Sequence, residues 1–186
     1  MRAGELPGRP VVTLSGERVA EIKDVVFDRE AGRIEGFTLN NPGLFSRSRH
    51  DALPWAGVHS LGPDAVMVRD SDAFVSVGQL AGRHDRRSGN VLDDEVLTDT
   101  GVAIGTVVDV VLEIEPGAAR VVGYEIVAGD KLPNAGRPML IPVPAALAVS
   151  GEKLIVPATV TDFVSDDLAG FGAAVKDFRA RLGTDD

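Results

Sequence analysis

The stretch from Gly16 to Phe27 reappears 85 positions later as Gly101 to Leu112, with Asp24 over Asp109 and Val25-Val26 over Val110-Val111. Arg33 to Leu39 then lies over Arg120 to Ile126 at an offset of 87, after a two-residue insertion, which sets Gly36-Phe37 over Gly123-Tyr124. Further on, Leu53-Pro54-Trp55 meets Ile141-Pro142-Val143 and Val66-Met67-Val68 meets Leu154-Ile155-Val156, both at an offset of 88. One module has been duplicated, so the chain must build the same small fold twice, and each copy can supply cover that the other lacks.

Within each copy, period-two or Val-rich runs are separated by turn residues such as Asp28-Arg29-Glu30-Ala31-Gly32, Glu115-Pro116-Gly117 and Ser150-Gly151. That pattern predicts antiparallel strands: a strand, a hairpin, another strand, a loop and two short strands. Only nine aromatic residues are present, against abundant Val, so the cores are aliphatic and favour strands. A sheet this small protects its edges by closing on itself or packing on a neighbour, which points to a small β-barrel. The polar run Arg83 to Asn90 reads as a linker with the boundary near Ser88. The expected organisation is mainly β: a first barrel with its linker over 1–87, a second barrel over 88–160 and a C-terminal helix over 161–186.

That helix is marked by Val164, Leu168, Phe171, Val175, Phe178 and Leu182, which recur at spacings of four and three and form one amphipathic stripe. Asp162, Asp166 and Asp167 near its start and Lys176, Arg179 and Arg181 near its end suit the helix dipole, and Gly183 is placed to end it. The stripe has two readings, packing across the barrels or forming a seam with a second chain or partner helix. Gly170 and Gly172 weaken a regular coiled coil and favour docking on a surface.

The order of these elements, a Gly turn, a Val-rich strand carrying Asp, a Gly-aromatic pair and an apolar-Pro pair, seen twice, resembles the PRC-barrel family over residues 10–70 and 91–157. The resemblance implies two tandem PRC-like barrels related by internal duplication. It also implies a style of function, because that family includes the cytoplasmic domain of the photosynthetic reaction-centre H subunit and the C-terminal domain of a ribosome-maturation factor. Its members act mainly by docking to other proteins. The transmembrane helix of the first and the N-terminal domain of the second have no counterpart here, so neither specific function carries over.

Several chemistries are disfavoured by composition. The chain has no cysteine, which removes disulfides, thiolate zinc sites and thiol catalysis. No apolar stretch approaches the ~20 residues that span a bilayer, and the first residues lack the apolar core of a signal peptide, so the expectation is a cytoplasmic protein without membrane insertion. A net charge of −9 repels phosphate backbones as a whole and disfavours nucleic acid.

Asp24 and Asp109 form a pair that could be read as acid and base, but a residue present at the same place in both copies is more simply structural, satisfying a turn or bulge amide. His50, His59 and His84 lack metal-ligand spacing. Asp28 to Gly32 lacks the oxygen ligands of a calcium loop, and Gly170-Phe171-Gly172 lies inside the helix, where its amides cannot face a phosphate. With no nucleophile elbow, phosphate loop or zincin motif, the reading is a non-enzyme with no cofactor and no metal.

The most informative irregular stretch runs from Asn40 to His50. Its apolar Leu44 and Phe45 beside Arg47, Arg49 and His50 have the composition of a binding hot spot, and these five are the candidate partner-binding residues. The expected function is that of a protein-protein docking adaptor with a protein partner. Exposed barrel edges and the C-terminal stripe also permit a homodimer. The alternative is an RNA- or ribosome-associated maturation factor, motivated by Arg47, Arg49, Arg83, Arg86 and Arg87.

Overall fold

A computed structural model describes residues 1–28, 31–40, 51–81, 91–115, 117–132, 134–143, 149–150 and 153–183. Each copy opens with the same turn. In copy one, β1 (Pro10–Thr13) and β2 (Arg18–Asp28) are joined where Gly16 adopts φ 89°, and in copy two β7 (Glu95–Thr98) and β8 (Ala103–Glu115) are joined where Gly101 adopts φ 80°. Glycine takes that left-handed conformation without the penalty that a Cβ brings. The buried hydroxyls of Thr13 and Thr98 accept from the amides of Glu17 at 3.1 Å and Val102 at 3.0 Å and meet the hydroxyls of Ser15 and Thr100. The turn is closed by side chains that the repeat supplies twice.

The long hairpins follow. β2 pairs with β3 (Arg33–Asn40) and β8 with β9 (Ala118–Ala128), each with two register breaks. One break leaves Lys23 extra just before Asp24, and its counterpart leaves Val108 extra just before Asp109. A bulge bends its strand and increases the local twist, so two per hairpin let a narrow sheet curl around its own core.

The sheet is completed by β4 (Ala52–Pro54), β5 (Val58–Leu61) and β6 (Val66–Val68) in copy one, and by β10 (Pro138–Pro142), β11 (Val149–Ser150) and β12 (Lys153–Val156) in copy two. The order is β5-β6-β1-β2-β3-β4 in the first copy and β11-β12-β7-β8-β9-β10 in the second. Each is a curled half-barrel. The pairings β1–β6 and β7–β12 are parallel, with Val11 beside Val66 and Val96 beside Leu154. This departs from the all-antiparallel pattern read from the turns, because the chain travels round the curl before its later strand returns beside the first one.

The copies join where Arg33 of β3 pairs antiparallel with Arg120 of β9 and the Val121 amide donates to the Gly32 carbonyl at 2.8 Å. One buried cluster runs through both, including Ile22, Phe37 and Leu53 from copy one and Tyr124, Ile126 and Ile141 from copy two. The first residues cross the seam as well. Arg2 bridges to Val111, the Met1 carbonyl accepts from the Leu112 amide at 2.8 Å, and the Gly4 amide donates to Asp109 Oδ1 at 2.9 Å. The start of the chain is therefore a short strap that also touches the surface of copy two.

The C-terminal helix α2 runs over Leu168–Leu182, with Asp167 capping it by accepting from the Gly170 amide at 2.7 Å. It begins one turn later than the stripe predicts. Val164 precedes it in extended backbone because the next residue, Ser165, exchanges two backbone bonds with Leu140, at 2.7 and 2.9 Å. Copy one carries the counterpart, with Val75 bonded to Ala52 in the same way and a five-residue helix α1 (Val77–Ala81) following.

Candidate functional site

The five residues singled out for partner binding, Leu44, Phe45, Arg47, Arg49 and His50, lie outside the described residues, as do Arg83, His84, Arg86, Arg87 and the boundary near Ser88. The helix stripe is described and is spent inside the protein. Phe171 and Val175 are buried against Val111, Val122 and Leu140, while Phe178 is fully buried in the main core and meets Phe163 edge to face at 5.5 Å between ring centres. Leu168, Val164 and Leu182 pack at the margins of the same clusters. Of the two readings of the stripe, packing on the chain's own sheet is the one the structure shows. Its apolar atoms gain more by covering copy two's own sheet than they could gain in an exposed seam.

The two aspartates stand at their bulges in unequal surroundings. Asp109 Oδ1 accepts from the amides of Gly4 at 2.9 Å and Val110 at 2.7 Å. Asp24, exposed, gives its amide to Thr38 Oγ1 at 3.1 Å and takes that hydroxyl's proton at 3.3 Å. Both line a cleft of about 330 Å³ across the seam, with Val25, Phe27 and Val110. Beside it Arg2 is held by Glu125. That hydrogen bond, supported by the charges of Glu125, Glu5 and Asp109, raises the Arg2 pKa above its ordinary value against the opposing effect of burial. Amide capture at the bulge gives Asp109 a structural task.

A second cavity, a groove of about 490 Å³, opens on copy one and borrows the tip of copy two's hairpin. Trp55, Leu80, Gln79, Glu35, Asp28 and Arg33 line it from copy one, and Gly117 to Ala119 from copy two. Asp28 is fixed by accepting from the Ala31 amide at 3.0 Å and by Arg33 at 3.5 Å. Trp55 is half-buried and tilts against Phe37, 6.1 Å between ring centres. The half-buried carboxylate of Glu35 makes no hydrogen bond or ion pair with any described residue. Reading the sequence for motifs missed this groove. Its one signal was that the sole tryptophan stands where copy two has Val143.

Among the described residues no group of three or more His, Asp or Glu is placed to hold a metal ion, and no helix is long and apolar enough to cross a membrane. His59 is exposed on the edge strand β5, and Gly170 and Gly172 lie within α2.

A family model described as the PRC-barrel domain matches this chain twice, over residues 1–75 and 84–168. No curated protein matches it. The second match extends past β12 as far as the start of α2, in keeping with the bridge-and-helix ending found in both copies.

Proposed function

The chain belongs to the PRC-barrel family, and on that premise we propose that it is a non-enzymatic protein-protein docking module of the cytoplasm. The observation that supports this most is the Trp55 groove, in which a half-buried indole, an apolar Leu80, the fixed Asp28 and Arg33 of copy one and the hairpin tip of copy two surround one open volume. Aromatic anchors beside charged groups, held on a rigid frame, are the chemistry of binding hot spots. The frame is rigid because both curled sheets share one core. Edge strand β5 adds backbone groups that no other described strand pairs on its outer side and that a partner strand or a second copy can bond. The sequence adds Leu44, Phe45, Arg47, Arg49 and His50 as a second set of anchors.

The test is capture from native extract with wild type and with Phe45→Ala/Arg49→Ala, repeated with nuclease and at raised salt, followed by purification of the captured protein and measurement of its Kd. The expected result is a protein that persists through nuclease and salt, binds directly when purified, and is weakened about tenfold or more by the double variant. Capture that vanishes with nuclease and falls steeply with salt overturns this function in favour of the RNA- or ribosome-associated reading.

A further inference from the structure

The sister copies seal the same part of their sheets differently. In copy two, Phe171 and Val175 of α2 lie on Val111, Val122 and Leu140, and Phe171 sits where a side chain on Gly123 would be. The corresponding residues of copy one are Val26, Glu35 and Ala52, with Leu80 over Gly36 in the place of Phe171. After Ala81 the sequence has no apolar residue before Val91, so that stretch supplies no counterpart of Val175 or Phe178. Glu35, which replaces Val122, faces the open groove without an ion pair among the described residues.

We propose that this groove receives an amphipathic helix of a partner protein, one whose apolar stripe carries a Lys or Arg that meets Glu35; the proposal rests on the docking function above. The helix is inferred from the way the sister copy fills its own site. The basic residue is inferred from charge: the half-buried Glu35, without an ion pair among the described residues, is satisfied by a cation, and an indole lining the same groove can pack on the stem and charge of a Lys or Arg. The net charge of −9 draws a basic partner at longer range. A second copy of this chain does not supply that helix, because the stripe of α2 is buried in its own protomer.

Trp55 is the only tryptophan, so its fluorescence reports the groove directly. The probe is a synthetic peptide of residues 167–182 carrying Val175→Lys, titrated into the full chain. A peptide this short is only marginally helical alone, so the readout is the ratio between variants. The expected result is a saturable shift of Trp55 emission to shorter wavelength, an affinity about tenfold weaker in Glu35→Lys, and recovery when that variant meets the peptide carrying Val175→Glu instead. Trp55 emission that does not move, or an affinity indifferent to Glu35→Lys, overturns the groove proposal. A native partner captured equally by wild type and Glu35→Lys overturns the groove while leaving the docking function standing, whereas nuclease-sensitive capture overturns that function itself.

Discussion

In copy two the outer residues Val111, Val122 and Leu140 are covered by the fifteen-residue α2, whereas copy one sets Val26, Glu35 and Ala52 at the matching positions and places Leu80 of a much shorter described helix over Gly36. The backbone devices, by contrast, occur in both: the Thr-Gly turn, the bulge before Asp, the Gly that admits a neighbour, and the bridge that leads into the helix. Two solutions to one surface show which features make the fold and which are free to serve something else. What is present twice builds the half-barrel. What is present once, the long helix on one side and the open Trp55 groove on the other, is where the copies differ in surface.

The largest difference between the copies is expected when one aromatic is removed from each. Phe178 is fully buried, so Phe178→Ala should cost about 3–5 kcal/mol in chemical denaturation. Trp55 is half-buried and lines an open groove, so Trp55→Ala should cost only about 1–2 kcal/mol, since part of its surface is never removed from water. If Trp55→Ala costs as much as Phe178→Ala, the indole is a core residue and copy one is sealed after all.

A second pair of variants tests the shared part. A Cβ on Gly123 would collide with the Phe171 ring and stand 2.5 Å from the Ile141 carbonyl oxygen, and one on Gly36 would collide with the Leu53 carbonyl and stand 2.9 Å from Pro54 Cα. In both copies the obstacle includes the backbone of the neighbouring strand, β10 or β4, which cannot rotate away. Gly36→Ala and Gly123→Ala should therefore each destabilise by about 1–3 kcal/mol in thermal or denaturant melts. A loss confined to Gly123→Ala would mean that only the Phe171 contact matters and that the paired backbones yield.

Much of this was legible in the sequence, because duplication turns single weak signals into coincident ones. The turn at Gly16, the Asp at each bulge, the Gly-aromatic strand and the stripe of α2 all follow from spacing and offset. The parallel return of β6 and β12 was not, since alternation of apolar residues reports burial and carries no strand direction. Helix α1 escaped because its described five residues bury one apolar side chain, Leu80, too few to show a period. The groove joins Trp55 to a hairpin tip over 60 positions away and is a product of tertiary packing alone. The strap at the start of the chain had a faint trace in hindsight: Arg2, Gly4 and Leu6 lie 85 positions before Arg87, Gly89 and Val91, so the repeat reaches back further than its strands.

That strap supplies the smallest and most discriminating contrast, because it loads the two bulge aspartates unequally. Asp109 satisfies the amides of Gly4 and Val110, the first of them 105 positions away, so its removal leaves two donors and unfastens the strap. Asp24, exposed, exchanges bonds with Thr38, whose hydroxyl water can satisfy instead. Asp109→Ala should then cost about 1 kcal/mol and speed hydrogen exchange at the Gly4 amide, while Asp24→Ala should stay within about 0.5 kcal/mol and leave that amide unchanged. Exchange at Gly4 is the deciding readout, since stability alone could fall through the bulge itself. If Asp109→Ala leaves Gly4 protected, the strap is held by Arg2 and Glu125 and by the Met1 bonds to Leu112, and the asymmetry between the copies begins at that ion pair rather than at the bulge.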